Sequence, residues 1–151
     1  MKILNIKNDS YIKYLYEYSK ICKQTWSNNI SDENLDVYVQ NKVNKILTND
    51  KVITIEAIIV NNEMAGFISL FKYDGDEKRS LTPWLATLFV KEKYRGKNYS
   101  NILISSLLNK ASELGYKKVY LKSDLNGFYE KYNAKYIETL KNKEKLYYIE
   151  L

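Results

Sequence analysis

Two apolar runs rich in β-branched residues, "VITIEAIIV" beginning at Val52 and "MAGFISLFKY" beginning at Met64, are separated only by Asn61, Asn62 and Glu63. Asparagine tolerates the positive φ of a tight turn, so this spacing predicts an antiparallel hairpin. The hairpin commits the chain to a sheet, and the segments on either side say what else the sheet carries. Upstream, "ILNI" predicts a short first strand. Tyr11, Leu15, Tyr18 and Cys22 then recur at helical spacing, predicting a helix that ends near Trp26. "SNNISDEN" breaks that pattern, with Ser31 a good N-cap, before Leu35, Val39, Val43 and Ile46 mark a second helix to about Leu47. Downstream, the polar loop "DGDEKRS" leads to a third strand, "PWLATLFV", whose Pro83 fits a strand start or edge. A helix follows with Leu103, Leu107, Ala111 and Leu114 on one stripe, stopped by Gly115. "KKVYLKS" reads as a short buried strand, "LNGFYEKYN" as a short helix and "KLYYIEL" as a closing strand. This order predicts a mixed sheet with helices and a strand-helix-strand crossover in its second half. No repeat or linker interrupts it, and residues 1–151 read as one domain.

Composition removes several kinds of chemistry. The 151 residues include no histidine and a single cysteine, Cys22. Ser-His-Asp triads, Cys-His dyads, His-ligated zinc and cysteine-cluster metal sites are therefore excluded, leaving carboxylates, lysines and tyrosines for any catalysis. No metal site is expected. The formal charge of +6 would suit an anionic partner, but the lysines are scattered, with no basic stripe interleaved with aromatics, so nucleic acid is not the expected partner. No apolar run approaches a membrane span, and the N-terminal apolar stretch is interrupted and lacks a small-residue cleavage site. The expected location is the cytoplasm, with no membrane partner.

The stretch from Tyr94 to Ser100, "YRGKNYS", lies where the third strand gives way to the helix. Unpaired backbone N–H groups at a helix N-terminus, with the positive end of the helix dipole behind them, make an anion site. Gly96 leaves room for an anion against the backbone, and Arg95 and Lys97 add charge. On its own the segment also reads as an ordinary basic loop.

Its surroundings are more specific. From Pro83 to Ile137 the sequence resembles the acetyl-CoA-binding half of the GCN5-related N-acetyltransferases. In that family a strand is followed by Arg-Gly-x-Gly-x-Gly/Ala at a helix start, then by a strand and a helix carrying a Tyr-Glu-Lys-x-Gly-Phe-like sequence. Here these stand as "RGKNYS" and "YEKYNA". The resemblance is loose over the preceding hairpin and rests on element order alone in the first 50 residues. It implies a mixed, mostly antiparallel α/β sheet flanked by helices. It also implies acetyl-CoA as co-substrate, held as an added strand by the backbone of Leu88, Phe89 and Val90, with its pyrophosphate among Arg95, Gly96, Lys97, Asn98, Tyr99 and Ser100. Asn126 is a further candidate contact to the cofactor arm. Tyr129 stands where the family commonly has a tyrosine that protonates the leaving thiolate, and Tyr132 is assigned to packing.

This chain departs from the pattern in two ways. Asn98 and Asn133 replace glycines, and asparagine is the residue next most tolerant of left-handed backbone. The third strand also lacks the carboxylate that many relatives carry, offering only Thr82 and Thr87. Glu56 and Asp124 are the candidate bases, though a charge on a solvated face is the commoner explanation of each. Trp84 is a candidate apolar wall of the acceptor site, and Asp32, Glu33, Asp74, Asp76 and Glu77 are candidates to attract a cationic amine. The resemblance implies acetyl transfer to a primary amine of unidentified identity; the alternative is a non-catalytic acyl-CoA-binding regulatory module. Dimerisation to a homodimer is an expectation at family level only.

Overall fold

The computed structural model describes residues 1–26, 32–75 and 77–151. Ser31, Asp76 and the side chains of Asp32 and Glu33 lie outside the described residues. The strands are β1 (Lys2–Asn5), β2 (Val52–Val60), β3 (Glu63–Phe71), β4 (Trp84–Val90), β5 (Lys118–Ser123), β6 (Lys135–Thr139) and β7 (Lys145–Glu150); the helices are α1 (Ile12–Trp26), α2 (Asp32–Thr48) and α3 (Tyr99–Glu113). The seven strands form one sheet in the order β1-β2-β3-β4-β5-β7-β6, antiparallel throughout except where β4 lies parallel to β5.

The hairpin forms as the asparagines require. Asn61 and Asn62 take φ of 50° and 65°, the paired positive values of a two-residue turn whose twist matches the strands it joins. Strand alternation then divides the core. Ile58 of β2 packs with Leu103, Ile104 and Leu107 of α3, while its neighbours Ala57 and Ile59 pack with Leu15 and Tyr18 of α1 and Val39 and Val43 of α2. Each of the Leu, Ile and Val side chains among these, fully buried, contributes on the order of 1.5–3 kcal/mol. Helices thus cover both faces of the sheet centre. Among the described residues, no helix is long and apolar enough to cross a membrane, and no group of three or more potential metal-ligating side chains forms.

Three local readings change. The sequence suggests one clear closing strand, yet β6 and β7 form a hairpin. All five residues of β6 are exposed, so it carries no alternation from which to recognise it. The expected helix over "LNGFYEKYN" contracts to one 3-10 turn, Tyr129–Tyr132, closed by Asn133 at φ 64°. Trp84 is 1% exposed, its Nε1 donating to the Leu81 carbonyl at 2.8 Å, and it packs with Leu140 and Leu146 as core.

The crossover sets up everything functional. β4 and β5 share a single paired position, Trp84 with Tyr120. Beyond it the two strands part, so past Leu85 the β5-facing edge of β4 has no strand partner.

Candidate active site

The gap between the parted strands opens into a cleft of about 640 Å³. Its walls come from sequence-distant segments: α1 and α2 on one side, and the ends of β3 and β5 with the Tyr129 turn on the other. Residues Leu85 to Leu88 of β4 form its back.

β4 reaches the cleft with a kink. Phe67 lies opposite Phe89 but Ser69 opposite Ala86, so β4 carries one extra residue across two positions of β3. That bulge falls at Thr87, whose φ of 52° is rare for a β-branched residue. A buried cluster of hydroxyls holds it: Thr87 Oγ1 bonds Ser69 Oγ at 2.5 Å, and Tyr18 from α1 bonds Ser69 at 2.8 Å and approaches Thr87 at 3.4 Å. Tyr18 is 1% exposed, and burial pushes its phenol well above the usual tyrosine range. The hydroxyl therefore stays protonated and acts as a support. Sequence reasoning missed this cluster, because neither Ser69 nor Thr87 stands out in an apolar strand.

Past the bulge the hydrogen-bond alternation is fixed by two contacts. Lys91 N–H donates to the Ala65 carbonyl at 2.9 Å, while the Val90 carbonyl accepts from Arg95 Nε at 3.1 Å. In an antiparallel pair successive residues turn their backbone groups to opposite edges, so Phe89 is committed to β3 and Val90 faces the gap. Of the three strand residues named from the sequence, Phe89 therefore offers no free backbone group. Gly66 lies across from this point, where an added Cβ would come 2.7 Å from the Phe89 carbonyl.

The connection to α3 is clamped from the start of β3. The Tyr94 hydroxyl donates to Glu63 at 2.7 Å, Lys93 pairs with Glu63 at 2.8 Å, and Lys91 pairs with Glu17 at 3.0 Å. These partners hold the Glu63 carboxyl down at about 2. Gly96 follows with φ 80° and nothing within 4 Å of where a Cβ would sit. Asn98 is the N-cap of α3 at φ 66°, ψ 19°, so asparagine keeps the left-handed geometry that glycine would have given. Its side chain makes no capping bond. Among the described residues, the backbone N–H groups of Gly96 to Asn101 find no acceptor in the chain. Lys97 is exposed beside them, and Tyr99 and Ser100 are half-buried. The arrangement is an anion cradle at the head of a 15-residue helix.

Tyr129 lies across the gap, 8% exposed and lining the cleft. It packs edge-on against Phe128 with ring centroids 4.8 Å apart, and its hydroxyl makes no bond within the described chain. Burial, with a smaller contribution from Tyr132, pushes its pKa up to about 12. Such a phenol is a proton donor at neutral pH.

The candidate carboxylates separate cleanly. Glu56 is on the α3 face of the sheet, beside Lys110 and Glu113, and does not border the cleft. Asp124, Asp74 and Glu144 do, whereas Glu77 does not. Asp74 is raised chiefly by burial, opposed by Lys122 at 3.9 Å. Asn126 is exposed, held by Lys145 at 2.5 Å, and lies outside the cleft lining. Thr82 donates to the Lys72 carbonyl away from the cleft. Cys22 is half-buried on the α1 wall, its thiol pushed up to about 12 by burial.

A splayed parallel pair, a bulged strand and an anion cradle at a helix start coincide with an independent match. The sequence pattern of the acetyltransferase (GNAT) family matches residues 12–134, and the chain belongs to that family. Solved structures share the fold along the whole chain. The PaiA N-acetyltransferase of Thermoplasma acidophilum, solved with coenzyme A, is 18% identical with a TM-score of 0.64, covering 100% of both chains. A GNAT-family acetyltransferase of Staphylococcus aureus Mu50 is 20% identical with a TM-score of 0.66, covering 99% of this chain and 98% of that one. An aminoglycoside 6'-acetyltransferase type Ii is 20% identical with a TM-score of 0.68, covering 99% and 97%. No curated protein matches the chain in sequence.

Proposed function

We propose that this protein transfers the acetyl group of acetyl-CoA directly to a primary amine. The observation that carries the reading is continuity: the free edge of β4 runs through a clamped turn into the unpaired N–H groups of Gly96 to Asn101, with Tyr129 facing that edge across the gap. An extended amide chain fits a free strand edge, and a pyrophosphate fits a helix N-terminus. The PaiA structure with coenzyme A supports the same choice of co-substrate by likeness of fold.

In this reading Val90 hydrogen-bonds the pantetheine arm, and the Gly96–Ser100 backbone, with Lys97 beside it, binds the pyrophosphate. The amine nitrogen attacks the thioester carbonyl, forming the C–N bond. As the C–S bond breaks, the thiolate takes its proton from Tyr129. The proton shed by the ammonium passes to Asp124 on the cleft rim and so to solvent, from which Tyr129 recovers the proton it gave. Holding both reactants in one cleft supplies much of the rate advantage. The absence of histidine from the sequence costs this chemistry nothing, because the steps need no imidazole. The single cysteine agrees with a cytoplasmic location.

The test is thiol release from acetyl-CoA by purified protein with a panel of amines. Amine-dependent release is expected; acetyl-CoA bound without turnover on any amine would favour the regulatory module instead.

A further inference from the structure

The two walls of the cleft carry opposite charge. On the helix wall Lys42 of α2 is half-buried and lines the cleft, and no carboxylate of the described residues pairs with it. Burial lowers its pKa, and the neighbouring Lys51 and Lys45 lower it further. Close by on α1, Ser19 is 1% exposed and also lines the cleft, with an Oγ that has no hydrogen-bond partner. On the strand wall Asp124 and Glu144 have no basic partner among the described residues, while Asp74 is already engaged by Lys122. An uncompensated ammonium in a half-buried wall is costly unless a ligand supplies its counter-charge.

We propose that the acceptor is an aminocarboxylate, its carboxylate set against Lys42 and its amine turned to Asp124 and Tyr129. The proposal rests on the acyl-transfer reading of the same cleft. A simple amine leaves the half-buried Lys42 without a counter-charge. A polyamine places a second cation against it. Only a ligand carrying both signs satisfies both walls, and a single negative charge matches a single unpaired lysine. Sites built to bind a polar group discriminate strongly against the analogue that lacks it.

The experiment compares matched acceptors with acetyl-CoA: β-alanine with propylamine, 6-aminohexanoate with hexylamine, and lysine with 1,5-diaminopentane. At least one carboxylate member should be favoured by tenfold or more in kcat/KM, the scale of a charge-assisted hydrogen bond. Lys42→Met should bring that ratio close to one, and Lys42→Arg should restore part of it. Acetyl-CoA affinity is measured on each variant to establish that it folds. Equal or better turnover of the carboxylate-free member in every pair, or a ratio that survives Lys42→Met, overturns the proposal and leaves acyl transfer standing. No thiol release with any amine removes the transfer reading itself, and this proposal with it.

Discussion

The two halves of the cleft are built from different materials. The half proposed for the cofactor is contiguous, running from β4 through the Gly96 loop into α3, and it offers backbone: a free strand edge, unpaired N–H groups and left-handed positions at Gly96 and Asn98. The half proposed for the acceptor is assembled from α1, α2, the end of β3 and the residues after β5, and it offers side chains. A backbone site depends on a few conformational requirements and tolerates change everywhere else. A side-chain site depends on which residues the fold brings together, and each can be exchanged without disturbing the sheet. One family can therefore keep its cofactor half and vary its acceptor.

The sharpest way to break this comparison is Gly96→Glu. A side chain at φ 80° costs about 1–2 kcal/mol for an L-residue, and a carboxylate in an anion cradle adds repulsion. The strain is carried with or without the cofactor and lowers stability; the carboxylate in the anion cradle should raise the acetyl-CoA Kd by roughly a hundredfold, since every 1.4 kcal/mol is about tenfold. Open space around the Gly96 position spares the variant a clash, so it should still fold, less stable by the backbone strain alone. Calorimetric titration measures it, and a Kd within about threefold of the parent would show that this loop does not hold the cofactor.

Tyr129→Phe comes next and separates chemistry from binding. Loss of a general acid lowers kcat by roughly a hundredfold, with the acetyl-CoA Kd nearly unchanged. Because burial holds Tyr129 at about 12, the parent should show no alkaline loss from this group across pH 6–10, pH values that lie below about 12 and so leave it protonated. A kcat unaltered in the phenylalanine variant would return Tyr129 to packing.

The same division explains what the sequence disclosed. Elements with strong periodicity were legible: the asparagine turn of the hairpin, the α3 stripe stopped at Gly115, and the strand-to-helix passage at Gly96. These are local signals, and glycine or asparagine at a positive φ announces itself. The bulge at Thr87 was not legible, because threonine gives no hint of positive φ; its geometry is imposed by Ser69 and Tyr18 from elsewhere. Lys42 was invisible for a like reason. In sequence it is one lysine among many on a helix, and only the meeting of α2 with β3 and β5 makes it part of a wall. Glu56 is the converse case, since its sequence allows a catalytic base until strand alternation puts it on the α3 face, away from the cleft.

Tyr18→Phe probes the seam between the halves, as Tyr18 belongs to α1 but supports the bulge of β4. Losing its bond to Ser69 should cost about 1 kcal/mol, a fall in Tm of about 2–4 °C for a chain of this size. If the bulge presents β4 to the cofactor, the KM for acetyl-CoA should rise as well. A lower Tm with KM unmoved would confine the hydroxyl cluster to stability.

The smallest effect expected is that of Glu56→Gln, and its sign is informative. Glu56 is 6% exposed with no hydrogen-bond partner among the described residues, and burial raises its pKa against the opposing pull of Lys110. The folded protein therefore holds the Glu56 proton more tightly than the unfolded chain does. Linkage then makes stability fall as pH rises above the ordinary glutamate range near about 4.3, until the folded-state value is passed. At neutral pH the charged group is a net cost, so glutamine should raise Tm slightly, on the order of 1 °C, and the gain should vanish in acid. Turnover should be untouched, because Glu56 lies on the far face of the sheet from the cleft. Asp124→Asn, on the cleft rim, should instead lower kcat/KM with little change in Tm. Should Glu56→Gln cut activity while Asp124→Asn leaves it intact, the placing of the acceptor's proton on the Asp124 side would be wrong.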